Sequence, residues 1–543
     1  MKQKILFLLF FILFSTMGFA QMENSLWYFG YNAGMDFRDL QTYANATING
    51  ITGQTVTAVP KFVSGPIYTN EGCFSLCDKD GNFLMASDGS TVYNGPLSTD
   101  IMENGIGLFG GSSSTQSGAF VPRPGHPNQF YIITGTPTET APALGLNYSI
   151  VDMSLNSGKG KVIEKNNPLD FGGARLGTSG TGALINRLEA YEGIAVYAHS
   201  NGIDYWVVNR TRDKFFTWLI TKDGIGPSPV SVTQANEDGG TLYQLVTSGA
   251  ANTAQIMMTK FSIDGTLLAN SFTVGLRNVS ANTNALLYTY IIVCKFDNST
   301  GVVSDVTSRG TVPPADRSQN YGLEFSPNNE YLYHCIYPQV NPTAQVWKIP
   351  KANFFTTLAG TAVLSSSVFQ ASNIGIGPDD RLYCIGNNQR DLVIFENPDE
   401  GATNWIKIPD YFSLTNIPRL GLPNFVYSFF GINDIQIAPI SLCREESVTF
   451  SIKISAGTGP NTVSKIAWDF GDGSTPEEQT IDSNQLRYTK SHTYSKRGTY
   501  TLTITPLKSD NSAITDRIQT VNIKVNSCIL PVNHNISVMG YHD

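Results

Sequence analysis

The chain has 543 residues and a formal net charge of −8, with only 15% charged residues against 11% aromatics and 50 glycines. That length exceeds one ordinary core, so at least two domains are expected. The acidic balance argues against nucleic acid as the main partner, since phosphate binding needs a basic surface. Low charge with abundant glycine suits sheets joined by tight turns.

Residues 1–20 read as a secretory signal peptide. Lys2 and Lys4 form a basic start, Ile5 to Phe14 is an unbroken apolar run, and Gly18-Phe19-Ala20 offers a cleavage site before Gln21. The run is too short to span a bilayer, and no later stretch reaches transmembrane length. The mature chain is expected to be soluble and exported, secreted or at the cell surface, with the periplasm as the alternative.

Leu26 to Phe37 then reads as a strand with an aromatic face ending in turn residues. From there a hairpin recurs. An apolar strand meets a turn rich in Pro, Asn, Asp or Gly and returns as a second strand. The copies fall at Asp78 to Leu84, Pro124 to Tyr131, His199 to Trp206, Ser262 to Leu268, Leu323 to Tyr333 and Gly377 to Tyr383, with turn centres 47 to 74 residues apart. A four-stranded propeller blade needs ~40–50 residues, with loops supplying the excess. Six such hairpins, plus a set formed by the Trp27 strand and the 405–430 region, predict an all-β fold of roughly seven blades over residues 21–430. Pairing the N-terminal strand with the last blade would hide both edges. A pair of β-sandwiches is the competing arrangement and ranks lower, because the repeat is continuous.

Gly421 to Val426 ends this pattern, and residues 431–442 read as a linker. The strands then become short and closely spaced: Ser447 to Ile452, Ile466 to Phe470, Gly498 to Ile504 and Val521 to Val525. They predict a small β-sandwich over 443–528, followed by a tail at 529–543.

Seven cysteines leave at least one unpaired. Cys73 and Cys77 share one strand-like run and stand ~13 Å apart when extended, beyond the reach of about 4.4–6.8 Å between Cα atoms of a disulfide. Cys294, Cys335 and Cys384 lie in apolar strands and read as buried thiols; no CxxC pair exists and the six histidines are scattered, so no metal site is expected. Cys443 and Cys528 flank the sandwich. An odd number of strands would place those ends at opposite poles, yet both lie outside the regular strands, where flexible flanks could join them. A bond and two separate thiols remain the alternatives.

The sandwich resembles the PKD domain, an immunoglobulin-like module. The resemblance is carried by Trp468-Asp469-Phe470-Gly471-Asp472-Gly473 and by His492, Tyr494, Gly498 and Tyr500. It implies a core role for Trp468, a turn at the Asp-Gly pairs and a structural hydrogen bond from His492. The first 430 residues resemble the N-terminal propeller region of large exported proteins of Bacteroidota-type bacteria. That likeness rests on residues 27–37, 71–94, Ser113 to Ser117, Tyr321 to Pro327 and Gly421-Leu422-Pro423. Such relatives often carry a further sorting domain for type IX secretion, which is not visible in the residues after Cys528. Without it surface attachment is not expected, and a truncated, a periplasmic and a released chain are the alternatives.

Catalytic patterns are weak. Asp78-Lys79-Asp80-Gly81-Asn82 begins like a calcium loop but has Gly89 where a bidentate Glu is needed, so it reads as a hairpin turn. Ser87 to Tyr93 resembles an Asp-box with the wrong spacing and reads as a turn too. Glycoside hydrolysis needs two facing carboxylates, and nothing pairs any two of Glu71, Glu192, Glu324, Asp379 and Asp380. No nucleophile elbow precedes an Asp…His order, and His199 and His334 read as structural. The expectation is a non-catalytic recognition or adhesion protein without cofactor or metal, its propeller binding an extracellular glycan or protein and the PKD module acting as spacer or auxiliary binder. The alternative is a polysaccharide-active hydrolase or lyase. Oligomeric state is not legible.

Overall fold

The computed structural model describes residues 22–526 apart from 79–80, 138–144, 170–191, 202, 211–213, 227, 235–250, 277–285, 312–318, 338–342, 431–434, 439–441, 454–462, 482–486 and 516–517. The signal-peptide reading and the 529–543 tail therefore lie outside the described residues. The chain is all-β: the helical turns among the described residues are 3-10 segments of three or four residues. It divides into two units at Ile432/Asn433.

Four-stranded antiparallel sheets succeed one another along the first unit. Blade 2 is Phe74–Cys77, Phe83–Ser87, Thr91–Tyr93 and Ile101–Ile106; blade 3 is Gly118–Pro122, Gln129–Gly135, Leu146–Asp152 and Lys161–Pro168. Blade 4 is Ile194–Ala198, Tyr205–Arg210, Lys214–Thr221 and Ser231–Gln234; blade 5 is Ala251–Phe261, Leu267–Leu276, Leu286–Asp297 and Val302–Thr311. Blade 6 is Gln319–Phe325, Tyr331–Tyr337, Ala344–Pro350 and Thr361–Ser366; blade 7 is Ala371–Ile376, Leu382–Gly386, Leu392–Phe395 and Trp405–Ile408. The first strand of each blade packs beside the first strand of the next. Strands covered on both faces need continuous apolar runs, and the inner strands Phe74–Cys77 and Ala371–Ile376 are buried at every residue. The outer strand Thr361–Ser366 has no buried residue.

The six turns found in the sequence all join the first and second strands of blades 2 to 7. In blade 6 Phe325 pairs with Leu332, and in blade 7 Ile376 pairs with Leu382, so Tyr333 and Tyr383 occupy equivalent places. Four turns share one hydrogen bond, from Gly81 N–H to Asp78 (2.9 Å), Gly265 to Ser262 (3.0 Å), Asn329 to Ser326 (3.0 Å) and Asp380 to Gly377 (3.1 Å). The donor residue is left-handed each time, with φ of 82°, 69°, 62° and 64°. That region suits Gly and is tolerated by Asn and Asp, which is why these residue types mark the repeat.

The seventh sheet differs from the expectation. Blade 1 is built wholly from the N-terminal residues, as Leu26–Phe29 followed by the long hairpin Tyr31–Ile48 and Ile51–Tyr68. Trp405–Ile408 is instead the outer strand of blade 7, and the hairpin tip reaches it through Thr47↔Lys407 and Ile48↔Ile406. Tyr411 Oη donates to the Pro60 carbonyl (2.6 Å), and Tyr31 and Ile417 exchange backbone hydrogen bonds of 2.9 and 3.1 Å. Pairing across first and last blades hides both edges. Trp27, 1% exposed, closes the inner side against Phe37, Tyr383 and Phe425.

The second unit is a two-sheet sandwich. Ile435–Ala438, Ser447–Lys453 and Arg487–Thr493 form one sheet, and Leu442–Cys443, Gln519–Asn526, Gly498–Leu507, Lys465–Asp469 and Glu477–Thr480 form the other. The strand Ile435–Ala438 pairs with Ser447–Lys453, so the sandwich begins inside the residues read as linker 431–442. Its core holds Trp468, Phe470, Phe450, Tyr488 and Tyr494.

Leu442–Cys443 pairs in parallel with the last strand, Cys443 standing opposite Asn526. The opposite-pole argument thus fails, because a short added strand folds back beside the chain's exit from the sandwich. Cys443 is disulfide-bonded, while Cys73, Cys77, Cys294, Cys335 and Cys384 are free and buried. Cys528 lies outside the described residues; we propose it as the partner. Closing a loop of this length is worth ~4–5 kcal/mol in the chain-entropy model. Digestion without reductant is expected to yield one linked species carrying both cysteines, and full labelling of both thiols in unreduced protein would overturn the pairing.

Candidate functional site

A ring of inner strands leaves a central channel, and here the chain itself fills it. Residues 417–427 run parallel to the inner strands, with bridges Cys73↔Pro423 and Val196↔Val426. The segment comes in at the face where outer strands lead to the next blade. There Leu420 N–H donates to the Asn70 carbonyl (2.9 Å) and Asn373 Nδ2 to the Leu420 carbonyl (3.0 Å). Gly421 lies so close to the backbone of Glu71 that a Cβ would sit 2.0 Å from its carbonyl oxygen. Only glycine fits that approach.

Asn424, 3% exposed, is the hub of this segment. Its Nδ2 donates to the carbonyls of Gly118 (3.1 Å) in blade 3 and Ile194 (2.9 Å) in blade 4. Its Oδ1 accepts from Gln116 Nε2 (3.1 Å), and its own N–H donates to the Cys73 carbonyl (2.9 Å). Gln116 continues the network, with Oε1 accepting from Ile194 N–H (3.0 Å) and Thr259 N–H (2.8 Å).

Lower in the channel, Glu324 of blade 6 meets Lys260 Nζ of blade 5 at 3.3 Å and accepts from Tyr427 Oη at 3.3 Å. Lys260 also lies over the Tyr427 ring, 4.9 Å from its centroid. Burial pushes the Glu324 carboxyl up, and the Lys260 charge opposes the shift. Losing one member of such a buried pair strands the other.

Two more carboxylates come together. Glu192 accepts from Thr115 N–H and Oγ1, both at 2.8 Å. The buried Tyr321 hydroxyl feels both Glu71 and Glu192; burial first, then these two charges, push it well above its ordinary value. The sequence pairs no two of the five acidic candidates, and in the fold the charges of Glu71 and Glu192 both act on one tyrosine. Asp379 stays apart, ion-paired to Arg381 at 2.6 Å, and Asp380 is a turn residue. Asp88 accepts from the N–H groups of Ser90 (2.9 Å) and Thr91 (2.8 Å), and Asp78 from Asn82 N–H (2.8 Å), so both acidic motifs close turns. Among the described residues no group of three His, Cys, Asp or Glu could hold a metal ion. His199 Nδ1 accepts from Asn201 N–H (2.9 Å), and His334 is buried, with burial first and the Arg309 charge second lowering its pKa to about 4.

At the channel mouth Tyr31 and Tyr68 stack, centroids 4.0 Å apart and planes 4° from parallel, with Arg419 Cζ 4.7 Å from the Tyr31 centroid. Tyr31 Oη donates to Asn70 Oδ1 (2.8 Å). None of Gln116, Lys260, Asn424, Tyr427 or this stack was singled out in the sequence as a site residue. The visible signals are Ser113 to Ser117 and Gly421-Leu422-Pro423, which carry family likeness, and Gly421 to Val426 as the end of the repeat.

In the sandwich, Trp468 is fully buried and its Nε1 donates to Gln479 Oε1 (3.2 Å). The Asp469 and Asp472 carboxylates accept from Gly471 and Ser474 N–H groups, and Gly471 and Gly473 take positive φ of 72° and 87°. His492 packs flat on Phe470 at 3.9 Å and bonds Asp472 Oδ2 through Nε2 at 2.8 Å. Tyr494 Oη donates to the Phe470 carbonyl (3.1 Å) and stacks with Tyr500 at 4.6 Å; Gly498 starts the strand carrying Tyr500. Phe470, Asp472, His492, Tyr494 and Tyr500 thus meet around one turn.

Residues 434–525 match the PKD domain family. No curated protein matches the chain. Among solved structures, an extracellular domain from B. thetaiotaomicron is 12% identical, covering 93% of this chain and 57% of that one at a TM-score of 0.31. A protein from Lactobacillus plantarum is 11% identical, covering 74% and 87% at 0.34. The Nup133 β-propeller domain of Vanderwaltozyma polyspora is 11% identical, covering 60% and 90% at 0.28. The propeller assignment stands on the strand pairing itself.

Two outcomes are expected. Asn424→Ala removes three buried side-chain hydrogen bonds and should cost the propeller at least about 3 kcal/mol, read as a lower denaturation midpoint of the first unit. For Asp472, burial raises the pKa, but hydrogen bonds from Ser474 and His492 outweigh it and hold the carboxyl at about 2. A carboxyl lowered on folding stabilises above its unfolded value of about 3.9. The sandwich should therefore lose stability as pH falls from about 4 towards 2, and Asp472→Asn should flatten that acid limb in calorimetry of the full chain.

Proposed function

We propose that this chain is an exported, non-catalytic recognition protein of the Bacteroidota type. Its propeller binds an extracellular glycan or protein, and its PKD module serves as spacer or auxiliary binding module. The observation that carries the reading is the filled channel. Glu192 and Glu324, 2% and 1% exposed, are held by Thr115, Lys260 and Tyr427 beneath the chain's own segment. Neither carboxylate faces solvent, which leaves the mouth and blade surfaces for recognition. Export is supported by the basic, apolar, small-residue order of residues 2–20 and by the disulfide at Cys443, since such bonds persist in oxidising compartments. No helix among the described residues is long and apolar enough to cross a membrane.

One observation favours a polysaccharide-active hydrolase or lyase instead: Glu71 and Glu192 converge on Tyr321. Binding and turnover measured together on one panel of polysaccharides and surface proteins separate the readings. Recognition predicts retention of a panel member without new reducing ends or unsaturated products, by protein that begins at Gln21. Product formation that is lost in Glu192→Gln would overturn it.

A further inference from the structure

We infer that the Tyr31–Tyr68–Arg419 stack at the channel mouth is a carbohydrate-binding platform on which Tyr68 receives the C–H face of a pyranose ring. The inference rests on the recognition reading above and deepens it by naming ligand class and residue. Tyr31 and Tyr68 are direct cross-strand partners at the open end of the blade 1 hairpin. Their rings lie 4.0 Å apart and nearly parallel. The Arg419 guanidinium covers Tyr31 at 4.7 Å, so Tyr31 is enclosed on both faces, by a cation and by a ring. Tyr68 is covered on one face only and remains 60% exposed. A lone exposed tyrosine needs no explanation, but this one is the outermost layer of a braced stack. Its ring is therefore presented without the entropy cost of ordering a free side chain.

The surroundings suit a sugar. Tyr31 Oη engages the Oδ1 of exposed Asn70 (2.8 Å), which leaves that side chain's NH2 hydrogens as donors beside the stack. Asn388, also exposed, is fixed next to the channel segment by its N–H bond to the Pro418 carbonyl (3.0 Å). An aromatic face with an amide beside it offers apolar area for ring C–H groups and directional bonds for hydroxyls. The platform is rigid because its parts belong to the ring closure. Tyr31 bridges Ile417, and the Arg419 carbonyl accepts from Ser372 Oγ (3.2 Å) of blade 7.

The test uses the mature full chain and isothermal titration with cello-, xylo-, manno-, chito-, laminari- and maltohexaose. At least one is expected to bind with a Kd below about 1 mM. Tyr68→Ala should weaken that binding by about tenfold or more, while Tyr68→Phe and Tyr68→Trp, which keep an aromatic face, should stay within about threefold. An unchanged thermal midpoint across the variants confirms that the hairpin is intact. If no hexasaccharide binds, or if Tyr68→Ala binds as well as the parent, the platform is overturned; recognition of a protein, or of a glycan elsewhere, would survive that result. Cleavage of the bound sugar by the parent chain would overturn the non-catalytic reading, while Tyr68-dependent binding in the same experiment would still support the platform.

Discussion

The placement of Asn424 is the constraint on which the propeller depends. One side chain ties blades 3 and 4 to a segment that the chain reaches only after completing all seven blades, and its link to Gln116 spans 308 residues. In a closed ring each blade packs mainly on its two neighbours. A strand in the channel touches many blades at once, so it couples elements that the ring alone leaves independent. Trp27 extends the coupling to blades 1 and 7 through Phe425 and Tyr383, and Tyr427 extends it to blades 5 and 6 through Glu324 and Lys260. Every blade therefore has a contact with the same short stretch or with its immediate partners.

That arrangement moves function outward. A water-filled channel lined by carboxylates is where a propeller could hold a small substrate. Here Glu324 is neutralised by Lys260 and capped by Tyr427, and Glu192 is spent on Thr115. These groups keep the inner ring polar without leaving it open. What the solvent meets at the mouth is the end of blade 1 and the first residues of the channel segment, which is where the Tyr68 ring is displayed.

Local chemistry was legible in the sequence and long-range chemistry was not. Four of the six hairpin turns are legible because a left-handed turn residue demands Gly, Asn or Asp, a requirement met within four residues. The equivalence of Tyr333 and Tyr383 follows from the same short range. The WDFGDG turn was readable for that reason too, since its carboxylates bond N–H groups two residues away. The make-up of blade 1 is hidden because its partners in blade 7 lie some 360 residues on, as in the pairing of Thr47 with Lys407. In the sequence the channel segment shows only as the end of the repeat. Nothing in Gly421 to Val426 alone reveals that Asn424 has its acceptors at Gly118 and Ile194. The strand inside residues 431–442 is hidden for a related cause, because Ile435–Ala438 has too few residues to declare itself a strand before its partner Ser447–Lys453 is placed.

The polar character of the channel segment has a physical reason beyond stability. An apolar strand in an apolar channel could slip by two residues and bury much the same surface, since side chains repeat with period two. Asn424 forbids this, because its donors and acceptor match Gly118, Ile194 and Gln116 in one register only, and a slip would leave several buried polar groups unsatisfied. The buried Lys260–Glu324–Tyr427 cluster fixes the same register three residues further on. A buried ion pair is a poor source of net stability, but as a register pin it specifies position. Arg419 lies five residues before Asn424 on the same extended stretch, so the register that satisfies Asn424 also sets Arg419 over the Tyr31 ring. The bracing of Tyr68 at the surface is thereby decided by hydrogen bonds deep in the channel, which couples the display of the mouth to the closure of the ring.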